Sequence, residues 1–461
     1  MRALVRPGSS VGGEARVPGD KSIAHRWVIL TATARGRSEL RGVPASLDLL
    51  ATLRCAAALF PRAIPAESLF RPEVHSERAR PTAGGYSPRR SAPVPPPEIP
   101  HLSVEGEGRE AMEEPPGALD CGNSGTTMRL LAGVVASRPV RAVMVGDASL
   151  SRRPMERVAE PLRRMGARVA TSGGRPPLVV EGAALRGIHH RSAVPSAQVK
   201  GCVLLAGLDA EGTTTVEEPA PTRDHTERAL AALGAPVEIA PGRVRVSRFR
   251  HEGFSAAVPG DVSSAAFLIA AAALTGSELV VRDVGLNPSR TRFLEVFRRM
   301  GIRTEASVRG EELGEPVGDL RVLPATRVVG TEVPPEELPL VIDEVPVLAA
   351  VAAHAEGGSR FAGGGELRVK ESDRLGGIAE GLRGLGAGAA VEGDDLLVAG
   401  GGVAGGSADA RGDHRLAMAF VVAALSARAP CEVRGVEAAS VSFPGFLEVL
   451  SALGAAVEAE P

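Results

Sequence analysis

Pro18-Gly-Asp-Lys-Ser22 opens an apolar stretch near the N-terminus, and Pro259-Gly-Asp-Val-Ser-Ser264 opens another one past the middle of the chain. In both copies a Pro-Gly turn brings an Asp and a Ser to the start of a predicted helix. Unpaired backbone N–H groups and the positive end of the helix dipole attract an anion at such a start. The repeat therefore predicts a duplicated protein of two related halves.

The two copies differ in charge. The first contains Lys21 and Arg26, and if Ser22 is the N-cap, Arg26 lies about one turn later on the same side of the helix. The second has Val262 and the pair Ala265-Ala266 in the corresponding region. We expect an anion site in the first half and a retained scaffold without that charge in the second.

Length and charge limit the possible classes of protein. The chain has 461 residues, more than the roughly 250 to 300 at which a single core stops growing, so two domains are expected. The 53 Lys and Arg residues nearly balance the 55 Asp and Glu residues, which implies no general surface for a polyanion such as nucleic acid. Any recognition of anions must therefore be local.

The cysteines and the apolar runs bear on the location of the protein. Cys55, Cys121, Cys202 and Cys431 form no Cys-x-x-Cys pair, which argues against zinc ribbons and secreted disulfide frameworks and favours reduced, buried thiols. The N-terminus lacks the apolar core of a signal peptide, and runs such as 416–425 are too short to span a membrane. We expect a soluble cytoplasmic protein without a membrane partner.

The composition changes abruptly between Pro61 and Pro116, with Pro-Arg-Arg-Ser-Ala-Pro-Val-Pro-Pro-Pro at 88–97. Proline removes backbone donors, and the segment has little periodic apolar content. Most of 61–100 is therefore predicted to be an exposed, mobile insertion, with a proline-rich motif for a binding partner as the alternative. Ordered sequence resumes near His101.

Short strand-like runs alternate with Ala-rich helical stretches in the rest of the chain. Predicted strands cover 140–145, 178–181, 244–246, 278–282 and 396–399, and predicted helices cover 154–165, 226–233, 263–274, 291–300 and 415–425. A Met-Gly or Leu-Gly pair recurs after such helices, at Gly166, Gly234, Gly301 and Gly454, and is typical of a helix C-cap. Several copies of one βαβ-rich unit, distributed over two domains, are predicted.

Further segments combine glycine or serine turns with isolated charges. They are 121–127, 149–155, 195–200, 222–227, 341–346, 370–374 and 412–415. Each has an ordinary interpretation, such as a capping box at Thr222, an N-cap at Asp343 or a surface charge run at 370–374. Their joint order is more informative, because basic residues recur at predicted helix starts in both halves. This pattern favours two anions held in a cleft between domains.

The series resembles the 5-enolpyruvylshikimate-3-phosphate synthase (3-phosphoshikimate 1-carboxyvinyltransferase) family of enolpyruvyl transferases, over nearly the whole chain. The motifs, in the family's order, are Pro-Gly-Asp-Lys-Ser at 18–22, Gly-Asn-Ser-Gly-Thr at 122–126, Arg-Pro-Met at 153–155, Ser-Ala-Gln at 196–198, Arg-Asp-His-Thr-Glu at 223–227, Asp-Glu-Val-Pro at 343–346, Lys-Glu-Ser-Asp-Arg at 370–374 and Asp-His-Arg at 413–415. The resemblance implies a two-domain inverse α/β barrel, with three βαβαββ repeats per domain. Residues 1–18 plus 259–461 would form one domain and 19–258 the other, with the active site in the interdomain cleft.

The resemblance also implies a reaction. Members of the family transfer the enolpyruvyl group of phosphoenolpyruvate to the 5-hydroxyl of shikimate 3-phosphate and release phosphate, by addition and elimination through a tetrahedral intermediate. The reaction belongs to the shikimate pathway of aromatic amino-acid and chorismate biosynthesis. Two small-molecule substrates and no metal or other cofactor are implied, and we expect a monomer.

Site residues are implied by position. The catalytic set is Lys21, Asp343, Lys370 and Glu371. The set for shikimate 3-phosphate is Lys21, Ser22, Arg26, Ser196, Ala197, Gln198, Thr222, Arg223, Asp343 and Lys370. The set for phosphoenolpyruvate is Lys21, Asn123, Gly125, Thr126, Arg153, Gln198, Arg374 and Arg415.

Asp343 is the candidate base, and either Glu371 or Lys21 is the candidate donor of a proton to the methylene carbon of phosphoenolpyruvate. A helix dipole would lower the pKa of Asp343, whereas two bound phosphates and the exclusion of water would raise it. The direction of the net shift in this pKa stays open at this point. Arginines would neutralise the charge that opposes bringing two anions together.

The sequence departs from the family's pattern at a few positions. Many members have a lysine where this chain has Val441, Ala197 replaces a second serine found in some relatives, and the 61–100 segment has no evident counterpart. Gly125 resembles the glyphosate-sensitive members, because a side chain there would crowd the inhibitor. We therefore predict sensitivity to glyphosate.

Two other classes of protein share part of this pattern. UDP-N-acetylglucosamine enolpyruvyl transferase shares the domain design and the donor, but its Lys-Asn start and its loop cysteine are missing, since this chain has Lys21-Ser22 and no cysteine in 149–155. A noncatalytic anion-binding paralogue would keep the scaffold and lose the chemistry. Retention of Lys21, Asp343, Lys370 and Glu371 argues against that class.

Overall fold

A computed structural model describes residues 1–64 and 98–461. The strands are β1 Arg2–Val5, β2 Gly13–Arg16, β3 Arg35–Pro44, β4 Glu98–Glu107, β5 Leu119–Asp120, β6 Arg141–Val145, β7 Arg168–Ser172, β8 Arg175–Glu181, β9 His189–Arg191, β10 Thr213–Glu217, β11 Val237–Ala240, β12 Arg243–Ser247, β13 Ser255–Ala257, β14 Leu279–Gly285, β15 Thr304–Glu312, β16 Glu315–Val322, β17 Glu332–Val333, β18 Ser359–Phe361, β19 Gly388–Glu392, β20 Asp395–Gly400, β21 Gly406–Asp409, β22 Cys431–Arg434 and β23 Val457–Glu460. The α-helices are α1 Lys21–Thr33, α2 Leu47–Leu59, α3 Gly125–Ala136, α4 Glu156–Met165, α5 Ala197–Gly207, α6 His225–Ala232, α7 Val262–Leu274, α8 Arg292–Arg299, α9 Leu338–Val341, α10 Val345–Ala352, α11 Arg374–Gly384, α12 His414–Ala424 and α13 Phe446–Ala452.

The strands of the described ranges form six sheets. Three are built from the middle of the chain, in the orders β13-β3-β4, β5-β6-β8-β7 and β11-β12-β10-β9. The other three, in the orders β15-β16-β14-β2, β17-β18-β20-β19 and β21-β22-β1-β23, combine the C-terminal part of the chain with the first two strands. The N-terminal segment therefore belongs to the sheets of the C-terminal half, and the chain crosses between the two groups twice.

One unit recurs in these sheets. In β5-α3-β6-α4-β7-β8 the first two strands are parallel and the last two form an antiparallel pair. The same order holds in β9-α5-β10-α6-β11-β12, and β17 to β20 repeat it with the first helix divided into α9 and α10. The predicted βαβαββ repeat is confirmed.

The two Pro-Gly-Asp turns meet where the chain crosses. The Asp20 amide donates to Pro259 O at 2.7 Å, and the Asp261 amide donates to Pro18 O at 2.8 Å. Asp20 and Asp261 are the N-caps of α1 and α7. The expectation that Ser22 caps α1 is wrong, because the Asp20 carboxylate accepts from the amides of Ser22 and Ile23 instead.

Buried apolar side chains fall into two clusters. One contains residues 3–17 and 262–455, and the other contains residues 23–258. Helix α7 is buried on all sides from Val262 to Ala273, and six of its 13 residues are alanine, which lets neighbouring helices approach closely. Each cluster packs around such a central layer of helices, which places the starts of α1 and α7 side by side.

The predicted elements agree with the structure within three residues at each end. The glycines after α4, α6, α8 and α13 have positive φ, from 85° at Gly234 to 117° at Gly166, as expected of helix C-caps. All four cysteines are buried free thiols, as expected. No helix in the described ranges is long and apolar enough to cross a membrane.

Some predicted boundaries are wrong. The 121–127 segment is not a turn throughout, because helix α3, capped by Ser124, already begins at Gly125. The insertion was expected from 61, but Ala63 and Ile64 pack into the core, and β4 already begins at Glu98. The rest of the predicted insertion, 65–97, lies outside the described residues.

Candidate active site

A cavity of about 280 Å³ lies between the two halves, where several helix starts converge. The predicted site residues that line it are Lys21, Ser22, Arg26, Asn123, Gly125, Thr126, Arg153, Ser196, Ala197, Gln198, Thr222, Arg223, Asp343, Lys370, Glu371 and Arg415. Nine Lys or Arg side chains line the cavity against five Asp or Glu side chains. The excess of positive charge favours anionic ligands.

Helix α1 supplies the first wall. Lys21 reaches the Asp48 carboxylate at 3.2 Å, and the hydroxyl of Ser22 accepts from Arg223 at 3.1 Å. Arg26 donates to the Thr226 hydroxyl at 2.8 Å and is buried, and this burial lowers its pKa to about 10. All three polar groups project from the first two turns of one helix, so the Asp20 cap fixes their common direction.

The start of α3 forms the second wall. Asn123 accepts from Arg153 at 2.6 Å, and the Thr126 hydroxyl accepts from the Gln198 amide at 2.8 Å. A Cβ added to Gly125 would lie 2.7 Å from Nη1 of Arg129. The glycine therefore leaves room for a guanidinium group and for a small ligand beside it.

Helix α5 and the segment before α6 form the third wall. Ser196 caps α5, since its hydroxyl accepts from the Val199 amide at 3.4 Å. The capping box expected at Thr222 is absent, because α6 begins at His225 and the Thr222 hydroxyl donates to Glu218 instead. Neighbouring Arg223 contacts both Ser22 and Asp343, which belong to opposite halves.

Asp343 is the centre of the charge on the second half. It is not the N-cap of α10, a position taken by Glu344. Its carboxylate faces Arg374 at 3.5 Å and Lys370 at 3.6 Å, and it also pairs with Arg223. Burial raises the pKa of Asp343, but attraction by these cations outweighs it and holds the pKa well below its usual value. In the structure without ligands, Asp343 is therefore ionised.

Glu371 lies between the halves. Arg374 holds its carboxylate at 2.6 Å, Arg153 lies 4.0 Å away, and its backbone carbonyl accepts from the Ser149 hydroxyl at 3.2 Å. Burial raises the pKa of Glu371, but attraction by Arg374 and Arg153 outweighs it and holds the pKa well below its usual value. An ionised Glu371 cannot itself donate a proton in this state.

Arg374 is the one predicted site residue that does not line the cavity. It is buried behind Glu371, where it donates to the Asp413 carboxylate at 2.7 Å. Arg415 does line the cavity and donates to the Asp343 carbonyl at 2.7 Å. The 370–374 segment is therefore no simple surface charge run, since its last residue is an internal ion-pair partner.

Several residues of the cavity were not predicted from the sequence. Asp48 pairs with Lys21, Arg129 donates to Gln198 and to Pro154 O, and Arg290 lies at the crossing. Arg129 lies in the apolar helix α3, four residues after Gly125, and a cation in such a helix was a usable signal. Asp48 lies in the first turn of the apolar helix α2, where an acid commonly complements the helix dipole, and Arg290 lies in a polar turn, so neither offered a specific signal.

Arg290 joins the two halves at the floor of the site. Its guanidinium donates to Asp20 at 2.8 Å, to Asp261 at 3.2 Å and to the Ser263 hydroxyl at 2.7 Å. The side chain is almost fully buried. Both capping carboxylates of the duplicated turns thus share one cation.

Comparisons with known proteins agree on one family. The family model described as EPSP synthase (3-phosphoshikimate 1-carboxyvinyltransferase) matches residues 5–67 and 99–450, so the unmatched stretch falls within the predicted insertion. The 3-phosphoshikimate 1-carboxyvinyltransferase of Halorhodospira halophila is 46% identical over 461 residues, with 99% of this chain and 97% of the relative covered. That of Thermus thermophilus is 46% identical over 457 residues, with 98% of each covered. A solved EPSP synthase from Acinetobacter baumannii is 37% identical, with a TM-score of 0.83 and full coverage of both chains.

Proposed function

Because the chain belongs to the EPSP synthase family, and therefore transfers the enolpyruvyl group of phosphoenolpyruvate to shikimate 3-phosphate in the shikimate pathway, we propose which residues of its cavity bind each substrate and which transfer protons. Its fold is the two-domain enolpyruvyl transferase fold of the solved relatives. The observation that carries the proposal is the contact of Arg223 with Ser22 on one half and Asp343 on the other. An anion-binding cation and a candidate base thereby meet in one cavity.

Shikimate 3-phosphate binds to the wall formed by α1, α5 and the segment before α6. Ser22, Arg26, Ser196, Thr222 and Arg223 offer hydroxyl and guanidinium donors from three separate helix starts, a suitable set for a phosphate. Gln198 and the backbone of Ala197 border the hydroxylated cyclohexene ring of shikimate 3-phosphate. Asp343 and Lys370 approach it from the opposite half.

Phosphoenolpyruvate binds next to this site, between the start of α3 and the second half. Asn123, Gly125, Thr126 and Arg153 lie on one side, Arg415 lies on the other, and Lys21 and Gln198 lie between the two substrates. Arg374 is buried behind Glu371 in the structure, so it contributes its positive charge to this site from behind that carboxylate. Cations from both halves neutralise the repulsion between two anions.

The carboxylate of Asp343 acts as the base, and substrate binding changes its pKa. When the phosphate of shikimate 3-phosphate draws Arg223 away, Asp343 loses one of its cations and gains an anionic neighbour. Both changes raise the pKa of Asp343, so it can accept the proton of the 5-hydroxyl as the oxygen attacks C2 of phosphoenolpyruvate. The charge on Arg223 thus couples binding to base strength.

Lys21 is our choice for the proton donor to C3, because Arg374 keeps Glu371 ionised. Addition of that proton gives the tetrahedral intermediate with a methyl group. In elimination, the methyl group returns a proton to Lys21 as the C–O bond to phosphate breaks and the enol ether forms. The proton that Asp343 took from the 5-hydroxyl passes to the departing phosphate, so Lys21 and Asp343 both regain their starting charge.

The two apolar clusters are proposed to be the cores of two domains, 1–18 plus 259–461 and 19–258, which close on the substrates. We also propose a cytoplasmic monomer, in keeping with the absence of a membrane-spanning helix from the described ranges. Glyphosate sensitivity is proposed from Gly125, since a Cβ at that position would crowd the space beside Arg129 and Arg153.

Phosphate release, measured with each substrate alone and with both together, tests the proposal. We expect release only with both substrates, and loss of release in Asp343→Ala. Asp319→Ala is the matched control, because Asp319 lies in the same half and pairs with Arg282 at 2.6 Å, and neither residue lines the cavity. Release from phosphoenolpyruvate alone, or equal rates in Asp343→Ala and the control, would contradict the assignment.

A further inference from the structure

Lys200 is a buried cation that the mechanism does not use. It lies in the first turn of α5, where its amide donates to Ser196 O at 3.0 Å. Its side chain is 3% exposed and does not line the cavity. The ammonium group contacts Glu218 at 2.7 Å and Glu227 at 2.6 Å. An almost fully buried ion triad therefore lies directly behind the proposed binding wall for shikimate 3-phosphate.

The two carboxylates come from different segments of that wall. Glu218 follows β10 and accepts from the hydroxyl of Thr222. Glu227 lies in α6, four residues after Arg223, and its neighbour Thr226 accepts from Arg26. One ammonium group thus joins α5, the turn from Glu218 to Thr222, and α6.

The charge of Lys200 matters as well as its contacts. Burial lowers its pKa, but attraction by Glu227 and Glu218 outweighs burial and raises the pKa above the usual value, so the group stays charged. Without it, two carboxylates would be buried together behind a site for a phosphate. Such unpaired charges would repel one another and the incoming anion.

We propose that Lys200 is a positioning residue for the phosphate of shikimate 3-phosphate. It sets the spacing of Ser196, Thr222 and Arg223 through Glu218 and Glu227, and it offsets the negative charge behind them. This inference rests on the proposed binding wall for shikimate 3-phosphate. It predicts an effect on one substrate and little effect on the other.

The test is steady-state kinetics of Lys200→Met, with the concentration of each substrate varied separately. We expect KM for shikimate 3-phosphate to rise at least about tenfold, while KM for phosphoenolpyruvate changes less than about twofold. In the double variant Lys200→Met/Glu227→Gln, one unpaired charge is removed, and part of the lost affinity should return. Equal rises in both KM values, or none, would overturn the proposal.

Arg109→Met is the matched control. Arg109 is a buried cation of the same half that donates to Leu205 O, at the other end of α5, and pairs with Asp209 at 3.0 Å. The Arg109→Met substitution should lower the melting temperature and leave KM for shikimate 3-phosphate unchanged. A similar rise of this KM in Arg109→Met would show a general effect of destabilising α5 and would refute the specific role.

Failure of the Lys200→Met variant to fold can be distinguished from failure of the proposed binding wall. If Lys200→Met does not fold, Glu218→Gln replaces it, because the amide still fits while the carboxylate that accepts from Thr222 is lost. A rise of about threefold or more in KM for shikimate 3-phosphate is expected there, and an unchanged value would overturn the proposal. If the unaltered enzyme shows no saturation by shikimate 3-phosphate, the proposed binding wall fails, whatever the variants do.

Discussion

Replacing Arg290 with methionine tests the contact that joins the two halves. The change removes a buried guanidinium group from two carboxylates, Asp20 and Asp261, which lie 2.8 and 3.2 Å away. Loss of one partner from a buried ion pair costs about 3–5 kcal/mol. Both carboxylates keep their bonds to the first amides of α1 and α7, so we expect the lower end, about 3 kcal/mol.

That loss corresponds to a fall in melting temperature of roughly 6–12 °C for domains of this size. Arg290→Lys is the control, since it keeps one positive charge and should lose less. Thermal unfolding followed by circular dichroism measures both variants. A melting temperature of Arg290→Met within about 1 °C of the unaltered protein at pH 7 would refute the reasoning.

The same variant predicts a pH dependence. Burial raises the pKa of Asp20, but attraction by Arg290 and His225 outweighs it and lowers this pKa. A depressed carboxylate pKa contributes stability that is present above the unfolded value of about 4 and is lost as the pH falls below it. Arg290→Met lacks most of that contribution, so the gap in melting temperature between it and the unaltered protein should narrow below about pH 4. A gap that widens in acid would contradict the assigned pair.

Three further predictions concern the cavity. Asp343→Ala and Lys21→Ala should each keep the fold and lower kcat by about 10²-fold or more, because each removes a group proposed to move a proton; full activity in either variant would contradict its role. Gly125→Ala should raise the glyphosate concentration needed for half inhibition at least about tenfold, because its Cβ would lie 2.7 Å from Arg129; unchanged inhibition would argue against an inhibitor site beside Gly125. Trp27, which is buried and follows Arg26 in α1, should change its fluorescence when shikimate 3-phosphate binds, and an unchanged spectrum at saturation would show that closure does not reach this helix.

The sequence was sufficient to predict the repeat, most helix starts and about half of the residues that line the cavity. These features are local, since capping, glycine turns and apolar periodicity depend on neighbouring residues. The residue that caps α1 was harder to predict. Asp20 and Ser22 are both good capping residues, and in the structure Asp20 caps α1 with one carboxylate oxygen while the other accepts from Arg290.

Long-range partners were not predictable from one chain. Arg290, Asp48 and Lys200 each acquire their role through residues distant in the sequence, and nothing in their local sequences identifies those partners. Arg374 also has partners that its motif does not reveal. The motif predicts a ligand contact, which stays a prediction, and the structure adds ion pairs with Asp413 and Glu371 behind the cavity wall.

The central claim is that both halves hold the two anions in one cavity, and a crystal structure with shikimate 3-phosphate and glyphosate bound tests it most directly. We predict the phosphate of shikimate 3-phosphate within hydrogen-bond distance of Thr222 and Arg223, with glyphosate between Arg153 and Arg415. Either ligand bound outside this cavity, or contacted by residues of one half alone, would contradict the account.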